Sequence, residues 1–377
     1  MQISRRRFLH SGAVATFAAL SQRRLAAYAA QASKTGVKFK VGVTDWNLRQ
    51  TAKIESVALA KKIGFDGVQV SIGRQMQLKD EALQKAFLAE SKKLGFPIAS
   101  LCLDILHVNG LKSDPLGKQW VAESIPIAKA MGVKVILLPF FGKWALQNQA
   151  EMDYVGDALR EIAPAAEKAG IILGLEDTIS ARDNARIMER SKSPAVLTYY
   201  DVGNSTQNGF DVIEEIRWLT AQRICEVHLK DNPNFMGQGK IDFAAVVNAL
   251  ADIGFDKWAQ LECDSPTRSV ENDMGANLKF IRGVIAQSEF QRARFDAIVK
   301  FCSRAVQLHV VDVVWSKLCL SQCFRDGSCR LIRRLTQPHA MERFTRRSVP
   351  CQFGVHACST GTRMIIIFQN EHPGTFG

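Results

Sequence analysis

A chain of 377 residues with 47% hydrophobic side chains can bury a full core, as one large α/β domain or as two smaller ones. Its net charge of +12 comes from the ends: residues 1–32 hold five arginines and no acid, residues 288–377 hold 13 basic and 6 acidic side chains, and residues 33–287 balance 31 against 31. A neutral middle offers no electrostatic footprint for a phosphate backbone, so nucleic acid is not an expected partner.

The N-terminal stretch SRRRFLHSGAVATFAALSQRRLAAYAAQA sets paired arginines before a short run of small apolar residues. That pattern predicts a twin-arginine export signal over residues 1–32, with Ala27-Tyr28-Ala29 as the cleavage region and a periplasmic destination. The apolar run, Phe8 to Leu20, is shorter than the roughly 20 residues a spanning helix needs, so no stable membrane anchor is expected after cleavage.

From Val37 the text becomes regular. The strand KFKVGVTDW, the helix IESVALAKKIGF and the strand DGVQVSIG open a repeat that continues to residue 287. Helices are expected at 79–94, 116–131, 151–169, 182–190, 209–220, 241–253 and 271–286. The strands between them are PIASLCLDI, VKVILLPFFG, IILGLED, VLTYYDVGN, ICEVHLK and KWAQLECD. Several helices end in a shared phrase, KKIGFDG, KKLGFP, KAMGVK, EKAGII and ADIGFDK, whose glycine suits a left-handed cap.

Strict alternation of strand and helix forces parallel pairing, because each crossover returns the chain to the same edge. Eight units between residues 37 and 287 fit a (β/α)8 TIM barrel. An open doubly wound sheet would normally show a Gly-rich first turn, and GVTDWNLR has none. In such barrels the active site lies at the carboxyl ends of the strands. Glu176, Asp201, His228 and Glu262 end the fifth to eighth strands, and two glutamates, an aspartate and an imidazole are ligand types that divalent metals favour. Any one such acid alone is commonly a helix cap or turn residue; four in consecutive strands are harder to dismiss.

The stretches GLEDT, YYDVGNS, EVHLKDN and QLECD, with GVTDWNLR at the start and GQGKIDF before the seventh helix, resemble the xylose isomerase-like TIM-barrel sugar isomerases and epimerases. The resemblance covers residues 37–287 and implies one divalent ion, Mn2+, Mg2+, Co2+ or Zn2+, held by Glu176, Asp201, His228 and Glu262. It also implies that Glu176 and Glu262 are the catalytic acid and base. Where some relatives carry a second histidine after the strand-six aspartate, this chain reads DVGN and places Asn204 there.

The expected function is a metal-dependent sugar isomerase or epimerase. It removes a proton beside a carbonyl through an enediolate, whose charge a bound cation stabilises. His107, Lys230, Trp46, Trp144 and Asn204 are the candidate substrate-binding residues. A metal-dependent lyase on 3-keto-sugars or glycosides begins with the same proton abstraction and is the alternative, ahead of a non-catalytic sugar-binding barrel. An endonuclease IV-like nuclease is disfavoured, since residues 33–287 contain only His107 and His228.

After Gln287 the alternation stops, arginine outnumbers lysine 11 to 2, and cysteines appear at irregular spacing. Residues 288–377 read either as a tail not selected to fold with the barrel, such as a frame-shifted end, or as an appended module built from Cys319, Cys323, Cys329, Cys351, His356 and Cys358. Those spacings match no zinc motif, and no CxxC pair occurs.

Overall fold

The computed structural model describes residues 36–294, 296 and 297. The expected export signal and the cysteine-rich tail from Cys302 to Cys358 lie outside the described residues. Eight parallel strands close into a barrel in simple sequence order. They are β1 (Lys40–Thr44), β2 (Gly67–Ser71), β3 (Ile98–Cys102), β4 (Val135–Pro139), β5 (Ile172–Glu176), β6 (Val196–Asp201), β7 (Ile224–Leu229) and β8 (Trp258–Leu261). Closure is made by β8 against β1, with Lys40 opposite Trp258 and Val43 opposite Leu261. This is the TIM barrel that the alternation predicts.

The crossover helices are α1 (Glu55–Ile63), α2 (Glu81–Leu94), α3 (Pro115–Ala130), α4 (Gln149–Ala169), α5 (Ala181–Ser191), α6 (Val202–Gln207), α7 (Val212–Arg223) and α8 (Phe243–Asp252). Local chemistry sets their ends: Asp80, Asp114, Asn148, Ser180, Asp211 and Asp242 each accept a backbone N–H of the first turn. The five glycines of the repeated phrase, Gly64, Gly95, Gly132, Gly170 and Gly254, all have positive φ. The six-residue α6, directly after β6, is an element that strict alternation does not predict.

A larger apolar core lies between strands and helices, and a second cluster, Cys102, Val135, Leu137, Tyr199 and Cys225, is separate from it. Beside this smaller cluster the barrel carries polar groups. Glu226, fully buried, accepts from Ser100 Oγ at 2.8 Å, Tyr199 OH at 3.0 Å and Gln260 Nε2 at 3.2 Å. The Gln260 amide needs the space above a glycine: a Cβ at Gly42 would stand 1.9 Å from Gln260 Oε1.

Two expected boundaries move. The third strand ends at Cys102, short of the expected Ile105, and His107 closes a 3-10 turn, Asp104–His107. The last helix runs from 270 to 294, beyond the expected barrel limit at 287. Ser288 Oγ donates to Asn248 Oδ1 at 2.7 Å, and Arg292 reaches the Asn248 carbonyl at 2.8 Å and Asp252 at 2.7 Å. Residues 288–292 therefore pack against α8, because these side chains complete hydrogen bonds at its C-terminal half.

Candidate active site

Strand register brings the ligand-type residues to one level. Asp201 on β6 stands opposite His228 on β7, and Leu229 stands opposite Leu261, so Glu262 follows β8 one residue beyond that pair. Glu176 is the last residue of β5. One ligand atom from each of Glu176, Asp201, His228 and Glu262 lies within 4.8 Å of all the others.

His228 is fully buried at the centre. Its Nδ1 is 2.7 Å from Glu176 Oε1, 3.4 Å from Glu262 Oε2 and 3.7 Å from Asp201 Oδ2. Its Nε2 points the other way, 2.9 Å from Gln69 Oε1 on β2. The edge of Tyr199 packs at 4.6 Å between ring centroids and that of Trp46 at 5.9 Å, so the imidazole has little freedom to turn.

Both oxygens of Glu262 are held, Oε1 by the Trp46 indole N–H at 3.0 Å and Oε2 by the Lys230 ammonium at 2.5 Å. Lys230 is also 2.7 Å from Asp201 Oδ2 but off the line of a hydrogen bond, so that buried oxygen has a charge beside it and no aligned donor. Asp201 Oδ1 caps α6 through the Asn204 N–H at 2.8 Å. That bond explains the extra helix: DVGN is a capping turn that fixes the carboxylate.

The charges follow from burial and neighbours. Burial pushes Glu176 up to about 8, against the pull of His228. Burial also opposes ionisation of Asp201 and Glu262, but Lys230 and His228 overcome it, holding Asp201 below the usual range and Glu262 well below. His228 is carried well above its ordinary value, because Glu176 and Glu262 outweigh its desolvation.

The donor set fits a divalent cation. Three carboxylates and one imidazole converge, and one buried carboxylate oxygen lacks an aligned donor. Glu176, Asp201, His228 and Glu262 are the residues that can hold such an ion.

The cluster opens into a cavity of about 260 Å³ whose lining includes Trp46, Arg74, Asp104, His107, Glu176 and Glu262. His107 stacks on Phe141 at 6.2 Å, and burial lowers its pKa. Of the other candidate substrate contacts, Lys230 sits among the ligand carboxylates and Asn204 sits in the first turn of α6. Trp144 packs on Gly110, where a Cβ would meet its ring at 2.3 Å, and it does not line the cavity.

The loop motifs have structural work. In TDWN, Asp45 accepts from Ser71 N, Ser71 Oγ and Ala52 N, while Asn47 donates to the Cys263 carbonyl at 2.7 Å. These bonds tie β1 to β2 and β8 and present Trp46 to Glu262. In KDN and GQG, Asp231 Oδ2 accepts from Gly237 N at 3.0 Å and Gly239 N at 2.8 Å.

Sequence reading did not single out Gln69, Arg74, Asp104 or Glu226. Arg74 lies three residues past β2 and Asp104 two past β3, in the loops just beyond the strand ends that marked the ligands, so part of their signal was present. Gln69 and Glu226 sit inside strands, where only the register says which way a side chain points.

The family described as xylose isomerase-like TIM barrel matches residues 57–284. The 2-epi-5-epi-valiolone 7-phosphate 2-epimerase of Actinoplanes sp. is 28% identical over 202 residues, which are 52% of this chain and 73% of that protein. The L-ribulose-5-phosphate 3-epimerase UlaE of Shigella boydii is 25% identical over 232 residues, 54% of this chain and 78% of the relative. A solved D-psicose 3-epimerase with D-tagatose, from Clostridium cellulolyticum H10, superposes with a TM-score of 0.56 at 16% identity, covering 66% of this chain and 99% of that one.

Proposed function

The chain belongs to the xylose isomerase-like TIM barrel family, and we propose that it is a divalent-metal-dependent sugar epimerase or isomerase working by proton transfer at the carbon beside a carbonyl. Its similarity to named epimerases places it among isomerase-class sugar enzymes. The observation that carries the finer reading is the cluster itself: two glutamates, from β5 and the end of β8, meet at one imidazole and open into one cavity.

Glu176, Asp201, His228 and Glu262 would hold the ion. An ion held there would supply Lewis-acid stabilisation of the charge that grows on a substrate carbonyl oxygen. Trp46 gives the sugar an apolar wall and fixes Glu262 through its indole N–H. Glu176 and Glu262 both border the cavity, so one can remove a proton from carbon while the other returns one. Return to the opposite face of the same carbon gives an epimer, and return to the neighbouring carbon gives an isomer. Tyr199 and Gln69 keep His228 from turning, which keeps the cluster in register during transfer.

The test is metal analysis joined to turnover. The purified protein is expected to hold one divalent ion per chain, to interconvert ketose epimers, and to lose both properties on His228→Ala. Turnover that survives exhaustive chelation with no bound ion would overturn the reading.

A further inference from the structure

We infer that the cavity selects sugars bearing an anionic group, a phosphate ester or a carboxylate, and that Arg74 is the residue that recognises it. The inference rests on the reading of the cavity as a sugar site.

Arg74 lies three residues beyond the end of β2 and lines the cavity together with Thr51, Ser71 and His107. Among the described residues no carboxylate is within ion-pairing distance of its guanidinium, and no hydrogen bond engages it. Some exposed arginines are paired, Arg182 with Glu214 and Arg282 with Asp66, and others such as Arg268 are not; Arg74 differs from these in lining the cavity. The ligand carboxylates at the cavity floor already have their own cations, Lys230 and His228. Arg74 is therefore not needed to neutralise them.

Asp104 is the acid best placed to claim Arg74, whose charge pulls against the effect of its burial, yet the two make no ion pair. Its Oδ1 accepts the Gly73 N–H at 2.7 Å, and burial pushes it up to about 6. The same bond pins the turn that carries Arg74. Met76 N–H donates to the Gly73 carbonyl at 2.8 Å, Leu78 N–H to the Ile72 carbonyl at 3.1 Å, and Gly73 has φ +95° with the Gln77 amide filling the place of a Cβ. The backbone under Arg74 is thus held while its side chain keeps an open fork of donors.

Uncharged sugar hydroxyls need no such group, since Thr51 and His107 already offer neutral polar atoms along the same wall. His107 stays uncharged there, because burial and then the Arg74 charge both lower its pKa. What Arg74 adds is a permanent positive charge on a planar fork, the shape that matches carboxylate and phosphate oxygens in pairs.

The test measures binding of three ligands to the metal-loaded full chain: a neutral ketohexose, its 6-phosphate, and a ketohexuronate of matching configuration. At least one anion is expected to bind about tenfold or more tightly than the neutral sugar, with a preference that shrinks as salt is raised. Arg74→Gln is expected to bring that ratio close to one while metal content stays at one ion per chain. Preference for the phosphate alone, or for the uronate alone, identifies the group. Equal binding of all three by the unaltered protein, no binding of any, or a preference that persists in Arg74→Gln overturns the inference. Solvent deuterium entering the neutral sugar as fast as the anions defeats this inference alone, whereas no deuterium in any of them defeats the epimerase reading beneath it.

Discussion

The two ring nitrogens of His228 face different worlds: Nδ1 looks into the carboxylate cluster, and Nε2 lies 2.9 Å from the Oε1 of Gln69. An amide oxygen accepts, so Nε2 carries the hydrogen and Nδ1 keeps its lone pair for a metal in the neutral ring.

Gln69→Leu removes that acceptor with little change in volume. Metal affinity, read by competition with a chromophoric chelator, is expected to fall about 10–100-fold. Gln69→Glu keeps an acceptor and is expected to keep most of the affinity. Equal affinities in the unaltered protein and Gln69→Leu would mean that the amide does not set the tautomer.

Lys230 is nearly buried between Asp201 and Glu262. Lys230→Met leaves the buried Asp201 and the partly buried Glu262 with His228 as their remaining cation, which is expected to cost about 3–5 kcal/mol of stability in the metal-free protein. Saturating Mn2+ is expected to recover more stability in the variant than in the unaltered chain, because the ion replaces the missing charge. Urea midpoints with and without metal check this, and identical midpoints for both proteins without metal would contradict it.

Asp45 gives the metal-free fold a pH dependence of definite sign. Burial pushes its carboxyl up to about 7, against hydrogen bonds from Ser71 and Ala52. An unfolded aspartate ionises near 3.9, so between about pH 4 and 7 the native state holds a proton that the unfolded state has released. The contribution of Asp45 is therefore fully present below about pH 4 and declines as pH rises, by up to about 1.4 kcal/mol per unit. Asp45→Asn is expected to flatten the slope of urea-derived stability between pH 5 and 7, and an unchanged slope would show that Asp45 is not the group.

Much of this was readable in advance, for physical reasons tied to particular residues. Gly64, Gly95 and Gly170 mark helix ends because few other residues accept a positive φ, and Glu176, Asp201 and Glu262 mark strand ends because an acid there interrupts an apolar run. Gln69 and Glu226 were not legible. Inside a closed barrel a polar residue is tolerated only if partners from other strands meet it, and those partners, His228 for one and Ser100, Tyr199 and Gln260 for the other, are far away in sequence. The C-terminal limit was misplaced for a different reason. The arginine-rich composition beyond Gln287 suggested a break, yet Arg292 belongs to the barrel because Asn248 and Asp252 receive it.

The central claim is that Glu176 and Glu262 move a proton between carbon and solvent, and turnover in heavy water tests it most directly. With Mn2+ present, the product is expected to carry deuterium at the one carbon beside the carbonyl, and both Glu176→Gln and Glu262→Gln are expected to abolish the label. Product formed with no deuterium at that carbon, or labelling undiminished in both variants, would contradict the account.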